Sequence, residues 1–138
     1  MANYVDTNVI ISLAEEDENY ERAKKIKAFD DLVTGEITVI ELNAFYSRKF
    51  KDTVKARAAT IYSLRLSNVK VVEVDWNRLR REAERLALGL QLKALDVLQI
   101  ASAVLIGAST FITFDKDIVG KKDLVKKLTG VEVTDLQD

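Results

Sequence analysis

Four acidic side chains, each next to a predicted strand or at the start of a predicted helix, are the groups in this sequence best suited to chemistry: Asp6, Glu41, Asp96 and Asp115. Each has an ordinary structural explanation when taken alone. Together, carboxylates beside an apolar core repel one another and are disfavoured unless a cation compensates them. An all-oxygen set of this kind suits Mg²⁺ or Mn²⁺.

The composition removes several other kinds of active site. The 138-residue chain has no Cys and no His, which excludes thiol nucleophiles, most zinc sites and a Ser-His-Asp triad. With 21 Lys and Arg against 22 Asp and Glu, the net charge is -1, so contact with nucleic acid requires a local basic patch. The sequence shows no signal peptide and no apolar run near the roughly 20 residues that span a bilayer. We therefore expect one cytoplasmic domain over residues 1–138.

A central helix is predicted from residue 92 to residue 106. Between Val97 and Ile106 only Gln99 and Ser102 are polar, which is typical of a helix in a packed interior. Gly107 follows as a left-handed C-cap. Asp96 lies in the first turn of this helix, beside the core.

Two short predicted strands lead directly into acidic residues. Residues 3–5 precede Asp6 and Thr7, and the β-branched and aromatic residues 110–114 precede Asp115. Helix capping is the ordinary explanation for Asp6 and Thr7, because both residue types accept hydrogen bonds from the free N–H groups of a first helical turn.

Glu41 follows a β-branched run, residues 37–40, which predicts a short strand leading into a helix. An amphipathic helix with apolar residues from Tyr20 to Val33 is predicted before that strand. Thr38 and Glu41 have the spacing of a capping box. Capping therefore explains Glu41 about as well as a functional role does.

A basic cluster follows Glu41 and consists of Arg48, Lys49, Lys51, Lys55 and Arg57. Such a cluster can contact phosphates, although a solvated surface is the commoner explanation. The helix that it enters is predicted to turn four apolar residues to the core: Val54, Ala58, Ile61 and Leu64.

The remaining sequence continues to alternate strands with helices. Residues 69–74 and 131–134 are predicted strands, and Asp75 is the predicted N-cap of a helix in which Trp76 is a core or interface anchor. This alternation predicts a parallel sheet with helices on both faces. Such sheets bind ligands outside the carboxyl ends of their strands, so we expect the four acidic residues to converge at one edge.

Four short motifs, taken in order, resemble the PIN-domain nucleases and in particular the toxin subunits of VapBC toxin-antitoxin pairs. The motifs are Asp6-Thr7-Asn8, Val39-Ile40-Glu41-Leu42, the run from Leu95 to Ala103, and the run from Ile112 to Asp117. The resemblance covers essentially the whole chain. It implies an α/β fold, a three-layer α/β/α sandwich with a central parallel sheet, and a metal-dependent endoribonuclease.

The resemblance also implies roles for individual residues. Its acidic site matches Asp6, Glu41, Asp96 and Asp115, its supporting hydroxyls match Thr7 and Thr113, and a further acid matches Asp117. It implies a homodimer and an antitoxin whose C-terminal segment covers the site. The sequence gives its own reason to expect a homodimer through the early helices, since four aromatic residues exceed what a small domain can hide: Tyr20, Phe45, Tyr46 and Phe50.

The expected reaction is hydrolysis of RNA phosphodiester bonds with Mg²⁺ or Mn²⁺. The metal would lower the pKa of a bound water and offset the charge on the attacking and leaving oxygens, with any second ion about 3.5 to 4 Å away. We expect Asp6, Asp96 and Asp115 to bind metal directly or through water, Glu41 to bind it through water, and Thr7 to position the site. A general-base side chain is not required.

Other functions remain open at this stage. A haloacid-dehalogenase-type phosphatase would need an Asp two residues after Asp6, where Asn8 stands. A Toprim-like site could use Asp115 and Asp117 but would leave Asp6 and Asp96 unexplained. Two further alternatives keep the fold: a nuclease that processes RNA without a toxin role, and a catalytically silent module that binds RNA or a protein partner.

Overall fold

A parallel sheet positions the functional residues in the computed structural model, which describes residues 1–137. Its five strands are β1 (Asn3–Val5), β2 (Leu32–Thr34), β3 (Lys70–Val71), β4 (Thr110–Ile112) and β5 (Glu132–Thr134). Their order across the sheet is β3-β2-β1-β4-β5, and every pair is parallel. The order reverses between β1 and β4, and such a switch point is where open α/β sheets bind ligands.

Helices connect the strands: α1 (Thr7–Glu15), α2 (Tyr20–Ala23), a 3₁₀ helix (Lys24–Ala28), α3 (Glu36–Phe50), α4 (Thr53–Ser67), α5 (Trp76–Leu90), α6 (Ala94–Ile106), α7 (Lys116–Val119) and α8 (Lys122–Thr129). Adjacent strand residues point to opposite faces of a sheet. Tyr4 belongs to an apolar cluster with residues of α5, α6 and α8, and Val5 to a second cluster with residues of α1, α3 and α4. The predicted three-layer α/β/α fold is therefore confirmed. None of the helices in the described residues is both long enough and apolar enough to cross a membrane.

The central helix is confirmed as α6. Val97, Ile100 and neighbouring residues are buried, and the helix ends at Gly107, whose φ of 82° lies in the left-handed region that glycine adopts without strain. Asp96 lies in its first turn, as predicted.

The predictions for residues 20–41 were wrong in two respects. The strand is residues 32–34 and not 37–40, which lie inside α3, so the predicted helix from Tyr20 ends well before Val33. Gly35 is the N-cap of α3, and a Cβ there would meet the Tyr4 hydroxyl at 3.0 Å. Thr38 is consequently an interior helical residue, and the predicted capping box with Glu41 does not form.

Helix α4 turns a different face to the core from the one predicted. Its buried residues are small or hydroxylated: Ala56, Thr60, Ser63 and Ser67. Val54 and Ile61 are 78% and 41% exposed, Ala58 is exposed and Leu64 is partly buried. Small residues let α4 approach α3 and α1 closely, and this leaves the larger apolar side chains outside.

Four smaller expectations also changed. Trp76 is 57% exposed and is not a core residue, whereas Tyr46 is buried within the chain and adds nothing to an interface. Strand β3 is confined to two residues of the predicted 69–74. Strand β4 ends at Ile112, so Asp115 follows it after two intervening residues.

Candidate active site

Asp6 follows β1 at the centre of the sheet and is both a helix cap and a member of the site. Its Oδ1 accepts a hydrogen bond from the Thr7 N–H at 2.8 Å, which caps α1, and its Oδ2 accepts one from the Thr113 hydroxyl at 2.8 Å. Burial, with the charges of Glu41 and Asp96, raises the pKa of Asp6 to about 7 against the lowering effect of these hydrogen bonds.

Thr113 and Asn8 connect the loops that follow β1 and β4. The Thr113 hydroxyl accepts the Asp115 N–H at 3.0 Å as well as donating to Asp6. The Asn8 amide spans the same gap, because its Nδ2 donates to Thr113 at 3.3 Å and its Oδ1 accepts the Phe114 N–H at 3.1 Å. These bonds fix the two sides of the switch point against each other.

Glu41 projects from the second turn of α3 and is held from below by buried polar groups. Its Oε1 accepts hydrogen bonds from the Thr7 hydroxyl at 2.7 Å and from Gln99 Nε2 at 2.5 Å. Gln99 Oε1 accepts the Tyr4 hydroxyl at 2.5 Å, so flipping the amide would place an oxygen against the carboxylate. These donors all bind Oε1 of Glu41 or one another. The other carboxylate oxygen, Oε2, has no hydrogen-bond partner in residues 1–137.

Asp96 is half-buried at the start of α6 and accepts no hydrogen bond within the described residues. Burial raises its pKa to about 6, together with the charges of Asp115, Asp117 and Glu41, while the nearby Lys93 acts in the opposite direction. The surroundings of Asp96 thus disfavour its ionised form.

Asp115 caps the short helix α7, since its Oδ1 accepts the N–H groups of Asp117 and Ile118. It remains half-buried at the edge of the site. The Asp117 side chain is exposed, and its charge helps to raise the pKa of Asp96.

The predicted acidic residues meet at one cleft. Asp6, Glu41, Asp96 and Asp115 all line it, with six other residues: Thr7, Asn8, Ile11, Phe45, Arg48 and Gln99. Thr113 lies beneath it and Asp117 outside it. Within residues 1–137, however, no three acidic side chains are close enough together to hold one metal ion.

Sequence reasoning missed five residues of this cleft as parts of the site: Asn8, Ile11, Phe45, Arg48 and Gln99. Gln99 had a signal, because a fully buried amide in an otherwise apolar helix needs polar partners. Phe45 and Arg48 share the face of α3 that carries Glu41, at helical spacings of four and seven residues. That relation became usable only once α3 was known to begin at Glu36.

Comparison of structures identifies the fold with that of known toxins. The chain matches a VapBC-1 structure from nontypeable Haemophilus influenzae with a TM-score of 0.73 and 19% identity, covering 100% of both chains. It matches VapBC2 from Rickettsia felis, bound to a promoter DNA fragment, with a TM-score of 0.69 and 16% identity over 97% of this chain and 98% of that one. It matches Mycobacterium tuberculosis VapC20, described as a sarcin-ricin loop cleaving toxin, with a TM-score of 0.65 and 22% identity over 86% and 94%.

Sequence comparison gives the family. None of the curated protein sequences matches the chain, but the family model for the PIN domain matches residues 4–123. That span contains all four acidic residues of the cleft and both supporting threonines. The chain therefore belongs to the PIN-domain family.

Proposed function

We propose that this protein is a metal-dependent endoribonuclease that hydrolyses RNA phosphodiester bonds. The observation that carries the proposal is the cleft at the switch point of a PIN-domain fold, where four carboxylates line one surface. Burial and the charges of neighbouring carboxylates raise the pKa of two of them, Asp6 and Asp96. A partly uncompensated negative site of this kind favours a cation, and a divalent cation can activate water and offset charge on a phosphodiester substrate.

The donor chemistry of the cleft fits Mg²⁺ or Mn²⁺. The charged ligands available are carboxylate oxygens, and Asp96 and one oxygen of Glu41 have no hydrogen-bond partner in the described chain. Mg²⁺ usually keeps several waters and uses only one or two carboxylates. The lack of a three-carboxylate cluster in residues 1–137 is therefore compatible with Mg²⁺ held by Asp96 and Asp6, with Asp115 and Glu41 contributing through water.

The chain's own residues would orient the reaction. A bound divalent cation lowers the pKa of its water and offsets charge on phosphate oxygens. Thr7 and Gln99 fix the Glu41 carboxylate, and Thr113 fixes that of Asp6. Fixed carboxylates need little rearrangement when substrate binds, which is the condition for efficient electrostatic catalysis.

The decisive test is RNA cleavage by the purified protein in Mg²⁺, in Mn²⁺ and in excess chelator. The substrates should include a single-stranded RNA of randomised sequence, a sarcin-ricin loop fragment, and a DNA copy of that fragment to test the need for the 2′-hydroxyl. We expect cleavage of at least one RNA that requires metal. Undiminished cleavage in excess chelator would overturn the proposal.

We further propose that the chain is the toxin of a toxin-antitoxin pair, because matched structures of the same fold are VapBC complexes. A small adjoining reading frame for a DNA-binding protein is then expected. Expression of the chain alone should arrest bacterial growth, and Asp96→Asn should relieve the arrest. Normal growth at a protein level that gives detectable RNA cleavage would favour an RNA-processing nuclease without a toxin role.

Self-association as a homodimer is also proposed. Although Tyr46 is buried, α4 presents apolar side chains to solvent, with Val54 78% and Tyr62 60% exposed. Apolar surface of this kind commonly marks an interface. Light scattering at micromolar concentration should give twice the monomer mass, and Val54→Glu should reduce it. A monomer mass for the unmodified protein would contradict this.

A further inference from the structure

A ribonuclease with an acidic cleft must bind a polyanion, and the charges around this cleft indicate where an RNA strand can lie. Four of the residues lining the cleft are carboxylates, and the only cationic one is Arg48. RNA carries a negative charge on every phosphate, so electrostatic repulsion opposes the approach of an RNA strand to the carboxylates. Arg48 is exposed and forms no ion pair or hydrogen bond within residues 1–137, so its guanidinium is available.

Two other members of the basic cluster, Lys49 and Arg57, are not placed to bind a phosphate at this cleft. Lys49 forms an ion pair with Glu15 and lies over the Phe50 ring. Arg57 lines a separate depression between α3 and α4. The availability of Arg48 is thus a property of its position on α3 and not of the cluster as a whole.

Phe45 stands between Arg48 and the carboxylates. Glu41, Phe45 and Arg48 follow one face of α3 at spacings of four and three residues, and seven residues of helix cover about 10 Å. Phe45 is half-buried and lines the cleft, with its ring edge-on to Tyr46 at 5.0 Å between centroids. The helix therefore places an acid, an aromatic ring and a guanidinium in a row leading away from the site.

We propose that Phe45 and Arg48 form a nucleotide-binding subsite for RNA beside the carboxylates, an inference that rests on the proposed ribonuclease function. The Arg48 guanidinium binds a backbone phosphate flanking the scissile one, for which its fork of N–H donors is suited. The Phe45 ring stacks on a base of the same stretch, a contact that tolerates any sequence. The row along α3 then sets the direction in which the strand leaves the site.

The test separates charge from stacking. Binding of a fluorescent single-stranded RNA of randomised sequence is measured without divalent metal over a range of monovalent salt concentrations, in an Asp96→Asn background that blocks cleavage. Arg48→Gln should weaken binding roughly tenfold, as expected for a charged hydrogen bond, and lower the slope of log K against log salt by about 0.7. Arg48→Lys should keep most of that slope.

Phe45→Leu should weaken binding at least about fivefold through lost stacking, with no change in the salt slope. Phe45→Tyr keeps an aromatic ring and should bind as the parent does, and melting temperatures report whether each variant folds. Arg57→Gln removes the same charge from another surface and is the matched control, with parental binding expected.

Equal effects of Arg48→Gln and Arg57→Gln on affinity and slope would overturn the subsite while leaving the nuclease proposal intact. RNA affinity equal to that of the parent in both Phe45→Leu and Arg48→Gln would also overturn the subsite and leave the nuclease proposal intact. If the otherwise unmodified protein cleaves no RNA and the parent of this series binds none, both proposals fail. The two failures are therefore distinguishable.

Discussion

Asp6 and Asp96 line the same cleft, and both have a raised pKa, but the protein holds them differently. Asp6 is 6% exposed and accepts hydrogen bonds from Thr7 and Thr113. Asp96 is half-buried and accepts none from residues 1–137. Its ionised form is favoured by the charge of Lys93 and by the N-terminal dipole of α6, which suits an acidic residue in the first turn.

The contrast shows that a structural and a functional role can be combined in one carboxylate and separated in another. Asp6 caps α1, so the capping explanation is correct for it, and it still faces the other acids. Asp96 caps nothing, and its charge is opposed by Asp115, Asp117 and Glu41. The charge of Lys93 offsets this repulsion only in part, since the pKa of Asp96 is still raised to about 6. A bound cation is the simplest further compensation.

The largest expected effect is the loss of cleavage on Asp96→Asn. We expect RNA cleavage to fall at least about a thousandfold, because Asp96 is a proposed metal ligand and the loss of such a ligand removes several kcal/mol of transition-state stabilisation. The melting temperature of the metal-free protein above pH 7 should stay the same or rise, because a repelled charge is removed. Asp123→Asn changes a first-turn acid of α8 outside the cleft and should leave cleavage unchanged. A thousandfold loss with Asp123→Asn as well would break the comparison.

The next effect is a pH dependence of the stability of the metal-free protein. The pKa of Asp6 rises from 3.8 to about 7 on folding, so the folded state retains a proton that the unfolded state releases. The free energy of unfolding should therefore fall as pH rises from about 4 to about 7, by about 2 to 4 kcal/mol at 1.36 kcal/mol per pKa unit.

Denaturant unfolding at a series of pH values measures this fall. The contribution of Asp96 should end sooner, since its pKa is about 6. In Asp6→Asn the fall should accordingly be smaller and complete near pH 6, whereas in Asp96→Asn it should continue toward pH 7. Identical pH profiles for the two variants would show that the two carboxylates are not held differently.

The smallest effect isolates the cap. Asn caps a helix nearly as well as Asp, whereas Ala does not. Asp6→Ala should therefore be about 1 kcal/mol less stable to denaturant than Asp6→Asn, while Asp96→Ala and Asp96→Asn should differ by only a few tenths of a kcal/mol. A difference of the same size at both positions would count against the structural role assigned to Asp6 alone.

The sequence predicted those parts of the fold whose local pattern agrees with the tertiary structure. The nearly all-apolar α6, its Gly107 cap, the caps at Asp6 and Asp75 and the strand β1 have patterns that neighbouring elements reinforce. The convergence of four acids followed from parallel topology, because the carboxyl ends of such strands share one edge.

The errors lie where packing overrides propensity. Residues 37–40 are β-branched and favour a strand, but they belong to α3. There the Thr38 side chain is buried and forms hydrogen bonds with Gln99 and Thr34. Helix α4 buries hydroxyl groups and exposes Val54, which reverses the hydrophobic pattern. The buried polar groups beneath Glu41 were beyond sequence reasoning, since they come from five separate elements. They are Tyr4 of β1, Thr34 of β2, Thr7 of α1, Thr38 of α3 and Gln99 of α6.

Calorimetric titration of Mn²⁺ into the unmodified protein and into Asp96→Asn, above pH 7 where both key acids are ionised, tests the central claim most directly. The account predicts saturable Mn²⁺ binding by the unmodified protein, and binding at least about tenfold weaker when Asp96 is neutralised, with Asp123→Asn unchanged. Equal Mn²⁺ affinity in Asp96→Asn, or no binding by the unmodified protein, would contradict a metal site built on this cleft.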